Sequence, residues 1–587
     1  DMYKSLSHYI SFLESKGELI RITKFVDPVL QIAEITDRIS KSHGGGKALL
    51  FENTGTGFPL LINAMGSDKR IAYTLGVNDI NDIRKNINDL FKLTSTPINS
   101  LWDKLKLLPT LKHASNWFPK KITGRGECQE IIIKNPDLSI LPILQCWIYD
   151  GGRFVTLPLV HTKDAETGTR NVGMYRMQVI DSKTTGMHWH KHKTGARHYE
   201  QYKKAGKRMP VAVALGGDPV YTWCATAPMP DNIDEYLLAG FLRNKKVELV
   251  QCITQDIQVP ADADIIIEGY VDTNEPLEIE GPFGDHTGFY SLEDLYPRFH
   301  VTCITHRKNA VYPATIVGIP PQEDAYIAKA TERVFLEPIK FAISPEIVDL
   351  NMPEEGIAHN LAIVKIKKTY PGQAIKVAHA LWGAGQMMFC KIIVVVDENT
   401  DIHNYSNVLK AVQDNWSAES DTHFTKGVLD VLDHAAQVMG YGGKMCIDAT
   451  AKLPEEVTTS AKNKTEQKNL FQFSHKSEAK NEAAISVIFD DNVDLSDIPT
   501  CVWLAGNNID TSRDCSIENN RLIIDATTKH KGYKGFNRPF PNVVCADEKT
   551  IKEVDEMWNK LGLGEHIPSP SLKYQKLLHP GNAAIKQ

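Results

Sequence analysis

The sequence predicts a mixed α/β chain built in three parts, and three observations carry that expectation. The first is a change in apolar spacing: helical before about residue 115, short strands between turns from about 128 to 318, and helix–strand alternation beyond about 325. The second is length, since 587 residues exceed what one compact core holds and point to two to four domains. The third is composition. With 42% hydrophobic, 24% charged and 8% aromatic residues, the chain is neither disordered, collagen-like nor coiled-coil in its bulk.

The first part, residues 1–115, opens with apolar residues at helical spacing over 5–14 and 28–40. The runs 48–52 and 60–64 read as buried strands, which makes a small α/β unit, and 117–125 reads as a loop. The central part, residues 116–320, carries short strands at 130–133, 175–180, 211–215 and 264–268, punctuated by Gly, Pro and Asp. Many short strands so spaced indicate a barrel or sandwich, interrupted here by one helix over about 233–244. The last part, residues 325–587, has strand signals at 361–366 and 391–397, the latter a strong parallel-strand pattern, with a helix over 372–385 between them.

The last part also shows a repeat. Ile447-Asp448-Ala449-Thr450-Ala451-Lys452 follows a loop beginning at Asp414, and Ile524-Asp525-Ala526-Thr527-Thr528-Lys529 follows a loop beginning at Asn507. The shared core suggests a duplicated loop-plus-strand module, although two short matches also permit coincidence. Residues 462–482 between the copies are rich in Lys, Glu, Asn and Ser and read as a mobile surface segment.

Charge and cysteine usage narrow the function classes. Lys plus Arg number 66 against 72 Asp plus Glu, a net charge of −6 without long blocks of one sign, so nucleic acid is not an expected partner. No apolar run reaches the roughly 18 residues of a membrane helix, and no basic-then-apolar leader opens the sequence. A soluble, cytoplasmic protein is expected. The ten cysteines never form a C-x-x-C pair, so neither a disulfide framework nor a zinc knuckle is implied.

Three stretches could carry chemistry. Asn171-Val172-Gly173-Met174-Tyr175-Arg176 opens a strand with an amide, a glycine that allows close approach to the backbone, and an arginine at its end. Downstream, Met187-His188-Trp189-His190-Lys191-His192-Lys193 is dense in imidazole and ammonium groups, which suits phosphate or metal, or else a solvated basic loop. In Glu278-Ile279-Glu280-Gly281-Pro282-Phe283-Gly284-Asp285-His286, Glu280 and Asp285 flank a tight turn. Paired carboxylates can split their pKa values and leave one protonated as an acid; otherwise this is a turn with acidic shoulders. Finally, Asn232 reads as a helix N-cap with Glu235 three residues on, either a plain capping box or a carboxylate ligand for Mg²⁺ or Mn²⁺.

Taken in order, these stretches resemble the UbiD family of reversible decarboxylases, over most of residues 1–455. What the resemblance implies is specific. The cofactor is prenylated FMN, supplied by a flavin prenyltransferase. Asn171, His192 and Glu235 match the ligands of a divalent metal, usually Mn²⁺ (or Mg²⁺), with a K⁺ ion nearby. Met174, Tyr175, Arg176, His188, Trp189, His190, Lys193 and Thr194 fall on cofactor-contacting segments. Arg176, Glu280 and Asp285 match the catalytic network, in which Asp285 as an acid with a raised pKa protonates carbon after CO₂ leaves. The implied fold is an N-terminal α/β segment, a central split β-barrel of flavin-reductase type and a C-terminal α/β domain, in a homo-oligomer (dimer or hexamer).

Compact members of the family end soon after the position of Lys452, so the long tail is a departure, as is Ser420 where an Arg is expected before Asp421. Similar long forms are associated with bacterial quinone biosynthesis, which suggests a hydroxyaryl or naphthoyl acid as substrate. Peripheral membrane contact follows if that substrate is prenylated. The first repeat copy occupies the pocket-facing position of the family. Trp416 there is expected to wall the pocket or else fill its own core, and the second copy, with Trp503, is expected to pack peripherally. The rival readings are an aryl-acid carboxylase/decarboxylase of aromatic catabolism, a non-catalytic flavin-barrel scaffold and an ordinary FMN oxidoreductase.

Overall fold

The computed structural model describes residues 3–95, 109–110, 112–190, 193–230, 233–457 and 469–587. The first helix, Leu6–Ser15, begins where the Ser5 side chain accepts the His8 backbone N–H, and it buries Leu6, Tyr9, Ile10 and Leu13 at helical spacing. Beyond it, Leu19–Ile22 pairs in parallel with Ala48–Phe51, which pairs antiparallel with Leu60–Ile62. All of Ala48–Phe51 is buried, so the strand needs neighbours on both sides. The sheet is completed by Tyr312–Pro313, which arrives only after the whole central region.

The central region is a nine-stranded sheet whose two end strands, Phe154–Val155 and Arg170–Met174, do not pair with each other. It is therefore a curled but open barrel. Met209–Leu215 runs through its middle and separates two cores. Val211, Val213 and Leu215 point into one core, while Ala212 and Ala214 leave room on the opposite face for the helices Pro219–Thr226 and Glu235–Arg243. Gly269 marks a register shift between strands, where a Cβ atom would sit 1.9 Å from the His300 carbonyl oxygen. Among the described residues the region holds three α-helices rather than the single one expected, because Thr194–Ala205 and Pro219–Thr226 have short or weakly patterned apolar faces. The expected loop at 117–125 contains a two-residue strand, Lys120–Lys121, laid beside Glu248–Gln251.

A 20-residue helix, Glu323–Ala342, leads to the last region. There Leu361–Ile366, Ile392–Asp397 and Tyr441–Asp448 form consecutive parallel pairs, and Thr422–Val428 closes the edge antiparallel. A second sheet repeats this connectivity: Phe471–His475, Ile485–Phe489 and Arg521–Asp525 in parallel, with Cys515–Glu518 antiparallel at the edge. Phe471–His475, within the stretch expected to be mobile, is instead a strand of this sheet, with Phe473 packed edge-on against buried Phe489 at 5.4 Å.

The shared motif is structural in both copies. Asp448 Oδ1 accepts the Thr450 N–H at 3.0 Å, and Lys452 turns back to the Thr450 carbonyl at 2.6 Å. Asp525, Thr527 and Lys529 do the same at 3.0 and 2.6 Å. Each lysine satisfies carbonyls left open where the strand ends. The two units face each other reciprocally. Ser417 and Glu419 of the first bind Asn520 of the second, while Asp510 of the second accepts the backbone N–H of Gly443 in the first. Ser417 and Asp510 each cap the short helix before their unit's edge strand, and Gly443 and Asn520 each lie four residues before the shared motif, so the contact has the pattern of a two-fold axis. Buried Lys391 ties the units together, donating to the carbonyls of Gly506 and Ile509 while paired with Asp433 at 2.9 Å.

Candidate active site

The central sheet and the last region enclose a cavity of about 910 Å³. Arg176 is its centre of charge. It sits in the two-residue turn between Arg170–Met174 and Met177–Asp181, where its side chain points inward. Its Nε and Nη2 donate to the two oxygens of Glu280 at 2.8 and 3.0 Å, Nη1 donates to Asp285 Oδ2 at 2.6 Å, and Nη2 also reaches Ser291 Oγ at 3.1 Å. The guanidinium also lies 4.7 Å from the Phe283 ring centroid, so an aromatic face covers the ion pairs. His188 Nδ1 donates to Glu280 at 3.1 Å. Glu280 and Asp285 converge on one arginine because the turn between them reverses the chain at Gly281, whose φ of 94° suits glycine.

The two carboxylates do not split. Burial alone raises both, but the Arg176 charge and the His188 hydrogen bond outweigh it at Glu280 and hold that group at about 2. At Asp285 the His286 hydrogen bond and Arg176 outweigh burial, and the group stays below the usual carboxylate range. The raised pKa expected of Asp285 is therefore absent from this arrangement: it is an ionised group in a salt bridge.

The cavity wall brings together Met174, Tyr175, Arg176, His188, His190, Lys193 and Asp285. Behind it, Tyr175 Oη accepts the Gly195 N–H at 3.2 Å and the Asn171 amide N–H at 3.4 Å, so the atom Asn171 can offer a cation is its oxygen. Gly173 makes room for the Tyr175 ring, which a Cβ there would meet at 2.5 Å, rather than for a ligand. Trp189 stands edge-on to Tyr175, and Thr194 opens the Thr194–Ala205 helix. Glu235 is buried with its Oε2 accepting the Val172 N–H at 2.9 Å, which places it beside Asn171 on the neighbouring strand. Asp234, not Asn232, caps its helix; Asn232 lies outside the described residues, and Glu235 is the first helical residue. His192 also lies outside the described residues.

These residues fit the groups the sequence implies. Among the described residues the buried Trp189 Nε1–H meets no hydrogen-bond partner, which leaves it a donor for a ligand. Burial pushes the Glu235 carboxyl up to about 8, the behaviour of a carboxylate placed where a cation belongs. Among the described residues no three His, Cys, Asp or Glu side chains form a metal-sized cluster, since the expected set relies on an amide and on His192.

Four cavity residues escaped the sequence reading: His286, His359, Asp324 and Asp430. His286 stands next to Asp285 in a stretch already singled out, whereas Asp324 lies on the connecting Glu323–Ala342 helix and His359 and Asp430 in the last region, all three without any motif. Trp416 is not on the cavity wall. It is buried in the core of its own unit, with Nε1 donating to Thr422 Oγ1 at 3.0 Å, so the pocket-wall expectation fails. Trp503 is not peripheral either. Its ring stacks on Phe289 at 5.1 Å, just beyond Asp285.

Family models for the N-terminal domain, the Rift-related domain and the C-terminal domain of 3-octaprenyl-4-hydroxybenzoate carboxy-lyase match residues 10–90, 120–320 and 325–449. The chain belongs to the UbiD family of carboxy-lyases. An uncharacterized protein from Aquifex aeolicus is 49% identical over 456 residues, covering 77% of this chain and 93% of its own. One from Helicobacter pylori strain J99 is 35% identical over 611 residues, covering 96% and 97%, so the second unit has a counterpart there. Among solved structures, the UbiD-class enzyme HmfF of Pelotomaculum thermopropionicum in complex with FMN aligns with TM-score 0.64 at 28% identity, over 77% of this chain and 96% of that one. Vanillic acid decarboxylase of Sedimentibacter hydroxybenzoicus aligns with TM-score 0.67 at 26% identity, over 77% and 94%. The mixed α/β architecture with an open central barrel is the one these UbiD-class enzymes share.

Proposed function

We propose that this UbiD-family enzyme is a prenylated-FMN-dependent, reversible decarboxylase of an aromatic acid, a hydroxyaryl or naphthoyl acid of quinone biosynthesis. The observation that carries the reading is the Arg176 guanidinium held between Glu280 and Asp285 on the wall of a large cavity. When bound, the modified flavin supplies the electron sink that loss of CO₂ from an sp² carbon requires. Arg176 binds the substrate carboxylate, for which a guanidinium is the matching fork, and Glu280 holds Arg176 in place. Asp285 handles the proton at the carbon that loses CO₂. Asn171, Glu235 and His192 hold Mn²⁺ (or Mg²⁺), with K⁺ nearby, and Lys193, Thr194 and the Trp189 N–H hold the cofactor. Phe335, Ile339, Met352, Met387 and Phe389 line the far end of the cavity and suit a bulky aromatic ring.

A flavin prenyltransferase supplies the cofactor, and the enzyme works as a cytoplasmic homo-oligomer. The test is reconstitution with prenylated FMN and Mn²⁺, followed by a screen of hydroxybenzoic and hydroxynaphthoic acids for CO₂ release. A flavin spectrum together with turnover of at least one acid is expected. Binding of unmodified FMN with hydride transfer, or no flavin binding at all, would refute the assignment.

A further inference from the structure

Asp285 faces the cavity as a carboxylate, and a carboxylate has no proton to give to carbon. The adjacent residue holds one. His286 Nδ1 lies 3.0 Å from Asp285 Oδ1, and the same oxygen accepts the His286 backbone N–H at 2.8 Å. The other ring nitrogen, Nε2, is 3.2 Å from Nε2 of His359 in the last region. Titratable groups from three elements face the ring: Asp285 on its own loop, Asp324 from the Glu323–Ala342 helix, and His359 and Asp430 from the last region. Burial pulls the imidazole down, but Asp285, Asp430 and Asp324 outweigh it and hold His286 at about 9. His359, buried as well, is pushed down to about 4. His286 is thus an imidazolium donating at both nitrogens, and neutral His359 accepts at one end and fixes which nitrogen faces Asp285.

We propose that His286 is the proton store of the site, passing its Nδ1 proton to Asp285 when a substrate carboxylate draws Arg176 away, so that Asp285 can deliver it to carbon. The proposal rests on the decarboxylase reading above. In the resting site Arg176 and His286 balance Glu280 and Asp285. An arriving carboxylate adds one negative charge and competes for the Arg176 Nη1 donor that now holds Asp285 ionised. In the first transfer the Nδ1–H bond breaks and an O–H bond forms on Asp285, leaving neutral imidazole and neutral acid. In the second the O–H bond breaks and a C–H bond forms at the carbon that has lost CO₂, and Asp285 is a carboxylate again. A solvent proton restores the imidazolium, so the sum is R–COO⁻ + H⁺ → R–H + CO₂, with no outside oxidant or reductant. His286 acts through Asp285 and is a positioning and proton-holding residue; His359 orients it.

The deciding variant is His286→Asn, whose amide N–H takes the place of Nδ1–H but carries no titratable proton. In the reconstituted enzyme, exchange of labelled CO₂ into the aryl acid needs C–C cleavage and re-formation but no C–H bond. His286→Asn is expected to keep that exchange within about 3-fold while net turnover falls about 10²-fold, the range of a lost proton donor. Wild-type turnover should decline as pH rises through about 9, a limb the variant lacks. In the cofactor-free protein, the imidazole resonance that disappears in His286→Asn should titrate near the same pH. Retention of more than a third of wild-type turnover, an unchanged pH profile, or a His286 titration at or below the ordinary value of about 6.5 would each overturn the proposal. If the wild type shows neither exchange nor turnover with any acid, the decarboxylase reading fails instead, and the titration alone still decides whether His286 holds the proton.

Discussion

Trp503 donates its indole N–H to the backbone carbonyl of Thr287 at 2.7 Å, two residues past Asp285. Asn507 reaches the same carbonyl at 3.2 Å, and Val544 donates its N–H to Gly288 at 2.9 Å. The second unit and the chain beyond it therefore clamp the loop that carries Asp285. Trp503→Phe keeps the stack on Phe289 and removes the hydrogen bond, at a stability cost of about 1 kcal/mol. Turnover should fall several-fold with KM nearly unchanged, because the loop loses its aim rather than its substrate contacts. Steady-state kinetics beside chemical denaturation separates the two effects, and unchanged kcat would remove the clamp.

Trp416 should behave differently. Trp416→Ala opens a hole in an apolar core, where such truncations cost about 3–5 kcal/mol. The ranking of aryl acids by kcat/KM should stay as in the wild type, and a reordered ranking would return Trp416 to the pocket.

Asp285→Asn should abolish decarboxylation, by about 10²–10⁴-fold, while cofactor binding stays nearly intact. The amide preserves shape but cannot carry the proton. Flavin occupancy read from the spectrum, alongside CO₂ release, checks both halves of the statement.

Glu235→Ala should lose the divalent metal and then the cofactor, since without the cation the phosphate and the remaining acidic groups repel. Elemental analysis of the purified variant measures this directly. A full Mn²⁺ complement would rule out Glu235 as a ligand.

The His286–Asp285 pair predicts a pH window for stability. The raised His286 value means its contribution is complete below about 6.5 and lost as pH rises through about 9. Asp285, with its value depressed, contributes above 3.8 and loses that contribution only as pH falls below the carboxylate range. Thermal stability of the cofactor-free protein should therefore drift down between about pH 6.5 and about 9 and level off above it, and His286→Asn should flatten that slope.

Much of this was legible in the sequence because it depends on local pattern. The parallel run at Ile392–Asp397, the helix at Leu6–Ser15 and the order of the three chemical stretches are short-range features. The role of Trp503 was not legible, because an apolar residue at helical spacing looks the same whether it fills a core or braces a distant loop. His359 and Asp430 carry no motif; the docking of the last region on the barrel is what brings them to the cavity. The charge state of Asp285 was misread for the same reason, since it depends on Arg176 and His286 at distances no spacing rule supplies.

The reciprocal contact between the two C-terminal units has an evolutionary consequence. In a symmetric homodimer every substitution at the interface occurs twice, so both halves must accept it together. Joined in one chain, the two halves are free to diverge. One has done so: between its edge strands the first unit carries a long excursion, 429–440, that delivers Asp430 to the cavity, whereas the second turns tightly through Asn519 and Asn520. The unit without the excursion supplies Trp503 instead. One half thus reaches the cavity, and the other braces the loop beside it.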